Sequence, residues 1–218
     1  MALSFPRPLA SFWNTLRMVE NPITPEVYQS TSGTRGGEVL TAELAEPKWT
    51  MDVALATATN DDADVIKGRI SALTMRGSDG TFLARNVKRA GPRADPTGSG
   101  MAGHTPTVLG LSGRRGVRFA GLPDGYVITT GDFFSVAFGS NPVRYAFMQA
   151  AESTIASGAG QTAFIDVTPF VKSGVAVGMV VSFVSAPVKM MIRPGSFNPG
   201  ATGLLHTTGM AFTAIEAF

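Results

Sequence analysis

The run LPDGYVITTGDFFSVAFGSNPVRYAFMQA, residues 122–150, alternates short apolar stretches with turn residues. Leu122-Pro-Asp-Gly125 and Gly139-Ser-Asn-Pro142 carry the residue types that tight reversals require: Pro to preset φ, Asp and Asn to bond their own backbone, Gly to allow left-handed φ. Between and after them, Tyr126 to Thr130, Phe133 to Phe138 and Val143 to Ala150 read as strands. Phe134, Val136 and Phe138 recur at a spacing of two, so that strand covers a core with one face.

The pattern continues on both sides. Strands are expected at Thr107 to Leu111 and Gly116 to Ala120, and later at Gln161 to Val167, Gly178 to Val184, Val188 to Ile192 and Gly209 to Phe218. No internal repeat of fixed period occurs, which argues against a solenoid or propeller. Upstream, Trp49 to Ala56 alternates as a strand. A single helix follows over about residues 61–75, with Asn60 as N-cap and Asp61, Asp62 and Asp64 in the turn where the helix dipole favours anions. Val65 or Ile66, Ile70 and Leu73 fall on one face of it. Arg76 to Gly80 turns the chain, and Thr81 to Ala84 returns as a strand. The fold class is therefore mainly β: an antiparallel barrel or sandwich with one flanking α-helix. Residues 1–48 are expected as an extended N-terminal arm and loop, and residues 49–218 as the barrel-type domain, interrupted by a Gly- and Pro-rich loop over 86–106.

Composition limits the role. Charged residues make up 16% of the 218 and hydrophobic ones 44%, with 14 Phe and 10 Met. A chain this low in charge hides surface in an assembly or presents a bland exterior, and that many large apolar side chains need burial. Val175 to Val188 is broken by Gly178, Ser182, Ser185 and Pro187, so no membrane-spanning helix is expected, and Met1 to Arg17 lacks the apolar run of a secretion signal. There is no cysteine, which excludes disulfides and thiolate-zinc sites. The formal net charge of +2 makes no global case for nucleic acid.

The chemical motifs point away from catalysis. His104 and His206 are the only histidines and lie far apart in sequence. The aspartates at 61, 62 and 64 lack calcium-loop spacing, and helix N-terminal charge accounts for them. Ser32-Gly-Thr-Arg-Gly-Gly37 lacks the Lys-Ser/Thr ending of a triphosphate loop, and Gly158-Ala-Gly160 reads as a turn. No catalytic, cofactor or metal residue is expected. The candidate interface residues are basic: Arg85, Lys88, Arg89 and Arg93 at the start of the long loop, Arg114 and Arg115 with Arg118 nearby, and Arg35 in the glycine-rich arm. Such groups can contact phosphates, but few aromatics accompany them, so stacking on single strands has little support.

Three segments together resemble one family. They are the Trp49 strand and its helix followed by Met75-Arg-Gly-Ser-Asp-Gly-Thr-Phe-Leu83; Leu122-Pro-Asp-Gly-Tyr-Val-Ile-Thr-Thr-Gly-Asp-Phe-Phe134; and Ala163-Phe-Ile-Asp-Val-Thr-Pro169 with Pro194 and a closing Ala214-Ile-Glu-Ala-Phe218. Their order resembles the distal tail and minor tail proteins of long-tailed bacteriophages. The resemblance implies a β-barrel with a flanking helix that forms a homohexameric ring in the virion, after synthesis in the host cytoplasm. It also implies a tail tube protein above, hub, baseplate and tape-measure proteins as further neighbours, transient DNA passage through the lumen, no membrane partner and no enzymatic activity. Larger members carry an added carbohydrate-binding-like domain, for which this chain has no room, so a direct receptor role is not expected. Two other readings stand beside it: a tail tube subunit, and a carbohydrate-binding β-sandwich module, for which Trp13 and Trp49 are the available tryptophans.

Overall fold

The computed structural model describes residues 3–217. Phe218, the last residue of the expected terminal strand, lies outside the described residues, as do Met1 and Ala2. In chain order the elements are β1 (Met18–Glu20), β2 (Ile23–Gly33), β3 (Val39–Leu55), β4 (Ala58–Thr59), α1 (Asn60–Thr74), β5 (Thr81–Ala84), β6 (Thr107–Ser112), β7 (Gly116–Ala120), β8 (Val127–Ile128) and β9 (Phe133–Phe138). They continue with β10 (Arg144–Ala150), β11 (Thr154–Ile155), β12 (Ile165–Thr168), β13 (Val181–Ser182), β14 (Val188–Ile192), β15 (Ala201–Thr202), β16 (His206–Thr208) and β17 (Ala211–Glu216). The protein is mainly β, 42% strand and 13% helical, with antiparallel, curled sheets.

One six-stranded sheet runs β13-β9-β10-β12-β7-β6. It curls until its edges meet: the Val108 amide donates to Met179 O at 2.9 Å, Gly178 N to Val108 O at 2.8 Å and Val181 N to Pro106 O at 2.8 Å. Closure removes two open edges and encloses a core of Val117, Phe119, Ile128, Phe134, Val136, Ala146, Met148 and Phe183. Phe119 meets Phe134 and Phe183 edge-on, with centroids 5.1 and 5.0 Å apart, the arrangement that aromatic quadrupoles favour.

The second sheet runs β1-β3-β17-β14-β5, with β2 also paired to β3. Its core holds Trp49, Met51, Val53, Phe82, Met190 and Phe212, and α1 covers it with Ala63, Ile70 and Leu73. Ile66 packs against that core while Val65 is exposed, which decides between the two positions read from the sequence. The helix cap also differs from expectation. Thr59 is the N-cap and its hydroxyl accepts from Asp62 N at 3.2 Å, because the Asn60 side chain is committed to the β15–β16 turn.

The two cores share a wall. On β9 and β10 one face points into the barrel, while Phe133 and Phe147 on the other face pack against the second sheet. Trp49 stands over both rings at 5.6 and 5.5 Å, and its Nε1 donates to Phe147 O at 2.7 Å. Residues 1–48, expected as one extended arm, divide into two kinds of structure. Phe12, between two 3-10 turns, and Trp13, at the start of the second, are 1% and 0% exposed in the second core, and β3 runs through residues 48 and 49 without interruption. The strand expected from Tyr126 to Thr130 shrinks to Val127–Ile128. Its later amides are used elsewhere, Thr129 N by the Asp132 carboxylate and Thr130 N by Ser153 Oγ.

Glu216, at the end of β17, is 1% exposed; Oε2 accepts from Trp49 N at 3.1 Å while Oε1 has no hydrogen-bond partner. Burial raises its pKa from 4.5 to about 6, against the pull of Lys172 and the Trp49 amide. Between those two pH values the folded state holds a proton that the unfolded chain has released, so the stability this proton contributes is fully present below about pH 4.5 and is lost as pH rises through about 6, a change of about 2 kcal/mol from this one group. Glu216→Gln is expected to flatten this slope and raise stability at pH 8, read by denaturant titration across pH.

Candidate assembly surface

The exposure of β3 changes character along its length. Residues 39–46 are all exposed, and from Pro47 onward buried positions alternate with more open ones down to Leu55. The first half pairs only with β2, in six registered pairs from Tyr28–Ala45 to Gly33–Val39. The register shifts on both sides of Tyr28, and such bulges bend a ribbon away from its sheet. The result is a two-stranded arm turning at Thr34–Gly37, where Gly37 takes φ 85° and its amide donates to Thr34 O. A lone two-stranded ribbon is marginal in water. This one is tied down at its base by ion pairs of Glu26 with Arg193, Glu46 with Lys172 (3.4 Å) and Glu43 with Arg114 (3.6 Å). Val27, Val39, Leu40 and Leu44 along it are 51%, 69%, 57% and 71% exposed. A ribbon with open backbone edges that also exposes these four apolar side chains is a surface for adding another strand or chain.

The seven basic residues named from the sequence do not form one patch. Arg85 and Arg89 line a small recess over Phe133, Phe147 and Phe183, while Lys88, Arg89 and Arg93 line an open cleft of about 790 Å³ that also includes Glu20, Asn21 and Gln149. Asn21 Nδ2 is buried there with no hydrogen-bond partner. Arg114 and Arg115 lie at the β6–β7 turn, Arg114 stacked 4.3 Å above Phe170 and paired with Glu43 of the arm. Arg35 stands in the arm's turn. Arg89 is paired with the buried Asp132, so Lys88 and Arg93, with Glu20 the carboxylate of the lining, suit the cleft to an anionic group on a partner surface. No protein-family model matches the chain, and no curated protein matches it. Among the described residues no group of three or more His, Asp or Glu side chains is placed to hold a metal ion.

The loop over 86–106 is held rather than loose, and the residue that holds it went unassigned in the sequence although its Gly-Asp step stood out. Asp132 is 0% exposed; Oδ1 accepts from Arg89 Nη2 at 2.9 Å and Arg93 N at 2.8 Å, and Oδ2 from Thr129 N at 2.8 Å. Asp95 fastens the far half by accepting from Gly100 N at 3.0 Å and Tyr126 Oη at 3.3 Å. Burial, followed by the Asp95 charge, pushes the Tyr126 phenol well above its ordinary pKa. Gly91 and Pro92 are buried beneath these contacts. Removing one partner of a buried charge pair costs about 3–5 kcal/mol, so Asp132→Ala is expected to lose stability on that scale. It should also open Lys88, Arg89 and Arg93 to trypsin, seen by mass spectrometry of limited digests; an unchanged digestion pattern would show that the loop is held by other contacts.

Proposed function

We propose that the protein is a structural ring subunit of a phage-like tail, at the distal end of the tail tube, joining the tube to hub or baseplate components with no catalytic step. The observation that carries this reading is the arm. An open-edged ribbon that exposes Val27, Val39, Leu40 and Leu44 on a rigid two-core body is of little use to an isolated monomer and suits a subunit that neighbours will cover. The resemblance in segment order adds the tail context, the hexameric ring, the tape-measure neighbour, the virion location and DNA passage. The cleft lined by Lys88, Arg89 and Arg93 supports contact with an anionic neighbour, either a subunit carboxylate or DNA phosphate.

A tail tube subunit draws on the same arm and differs in stacking into filaments rather than forming a single ring. The carbohydrate-module reading has less support, because Trp13 and Trp49 are both 0% exposed and neither supplies a platform for a sugar ring.

Light scattering on the purified chain tests the proposal. The expected mass is a several-fold multiple of the 22.8 kDa monomer. Replacing residues 30–42 with an Asn-Gly reversal, which joins the paired Gln29 and Glu43, is expected to weaken assembly about 10-fold or more while leaving the circular dichroism of the body unchanged. A monomer at every concentration, or undiminished assembly after shortening, would overturn the reading.

A further inference from the structure

The β15–β16 turn carries the two most solvent-open leucines of the described residues that are adjacent in sequence, Leu204 at 95% and Leu205 at 70% exposure. This tip is fixed by Asn60 at the start of α1. The Asn60 Nδ2 donates to Gly203 O at 3.1 Å and Leu204 O at 3.3 Å, its amide donates to Leu205 O at 3.3 Å, and its Oδ1 accepts from the Thr207 hydroxyl at 3.0 Å. Thr207 itself is fully buried. Scattered surface leucines are ordinary, but two neighbours held out in water by an oriented side chain form a preorganised apolar knob. Three aspartates lie beside it, Asp61 and Asp62 exposed in the adjoining first turn of α1 and Asp64 in the next; Lys67 pairs with Asp64 at 3.5 Å and donates to Thr202 Oγ1 at 3.4 Å, and Asp62 shares a recess with Arg17 and Arg69.

A matching recess lies farther along the same helix. The N-terminal segment crosses the later turns of α1 and leaves a groove of about 240 Å³ lined mainly by apolar atoms, with Leu3, Phe5, Val65 and Ala72 among its walls. That volume falls below the usual 300–1,000 Å³ of small-molecule pockets and suits one or two inserted side chains. The rim is basic. Arg7 and Arg69 line the groove, and Arg76 lies 4.5 Å over the Phe5 ring, with Asp79 in the following turn as the nearest carboxylate in sequence. An acidic-rimmed apolar knob and a basic-rimmed apolar groove on one chain are complementary in both charge and polarity.

We infer that Leu204 and Leu205 of one copy insert into the Leu3–Phe5–Ala72 groove of a second copy of this chain, with Asp61 and Asp64 facing Arg7, Arg69 and Arg76 across the joint. A ring requires two different patches that meet head to tail, so the inference deepens the ring-subunit reading and rests on it. The absence of native cysteine allows a direct test. Leu204→Cys and Ala72→Cys are made in separate chains, mixed and oxidised. The expected product is a disulfide between one chain of each kind, formed many-fold faster than either variant couples to itself. In parallel, the double variant Leu204→Asp, Leu205→Asp, altered only at an exposed turn, is expected to weaken assembly about 10-fold or more by light scattering. If the wild-type chain assembles but the two cysteine variants give no mixed disulfide, or if the double variant assembles normally, the knob-and-groove contact is overturned while the ring reading stands. A wild-type chain that is monomeric at all concentrations would remove both.

Discussion

Two-sided burial of the β9–β10 hairpin is the constraint on which the rest of the structure depends. One face supplies Phe134, Val136, Ala146 and Met148 to the barrel, and the other gives Phe133 and Phe147 to the second core, where they stack at 5.1 Å beneath Trp49. The Trp49 Nε1 bond to Phe147 O then ties β3 to β10 across 98 positions of sequence. Because protein interiors pack as densely as organic crystals, neither core can shift without disturbing this shared wall. The wall also carries a cost: the Ser135 hydroxyl is 1% exposed with no hydrogen-bond partner, a defect worth about 1–3 kcal/mol.

Rigidity of the body gives the projecting parts their meaning. The arm is continuous with β3, so the strand that anchors Trp49 in the core also presents Leu40 and Leu44 to solvent, and the orientation of the arm is inherited from the core. The same logic applies at the opposite end of the sheet, where α1 packs on the core and its Asn60 fixes the leucine tip. The low charge fraction read in the composition corresponds to two filled cores.

Legibility in the sequence followed local strength of pattern. Gly116–Ala120, Phe133–Phe138 and Val188–Ile192 have the bounds expected from alternation and turn residues, and the helix lies within one residue of its expected span. Phe12 and Trp13 escaped because two short 3-10 turns carry no periodicity, and their burial depends on Phe82, far away in sequence. The arm strands escaped because neither face is buried, which leaves no alternation to read. At the candidate surface, three of the seven basic residues, Lys88, Arg89 and Arg93, line one cleft because one loop carries them. What folds that loop is Asp132, whose role depends on amides supplied from Arg93 and Thr129, a long-range fact that composition does not contain.

Hydrogen exchange followed by mass spectrometry, at dilution and in the assembled state, tests most directly whether a rigid body presents an arm for neighbours to cover. The expected result is slow exchange of residues 49–55, 133–150 and 211–216 in both states, with residues 28–45 exchanging fast at dilution and becoming strongly protected on assembly. An arm already protected at dilution, or one that stays unprotected in the assembly, would contradict that account.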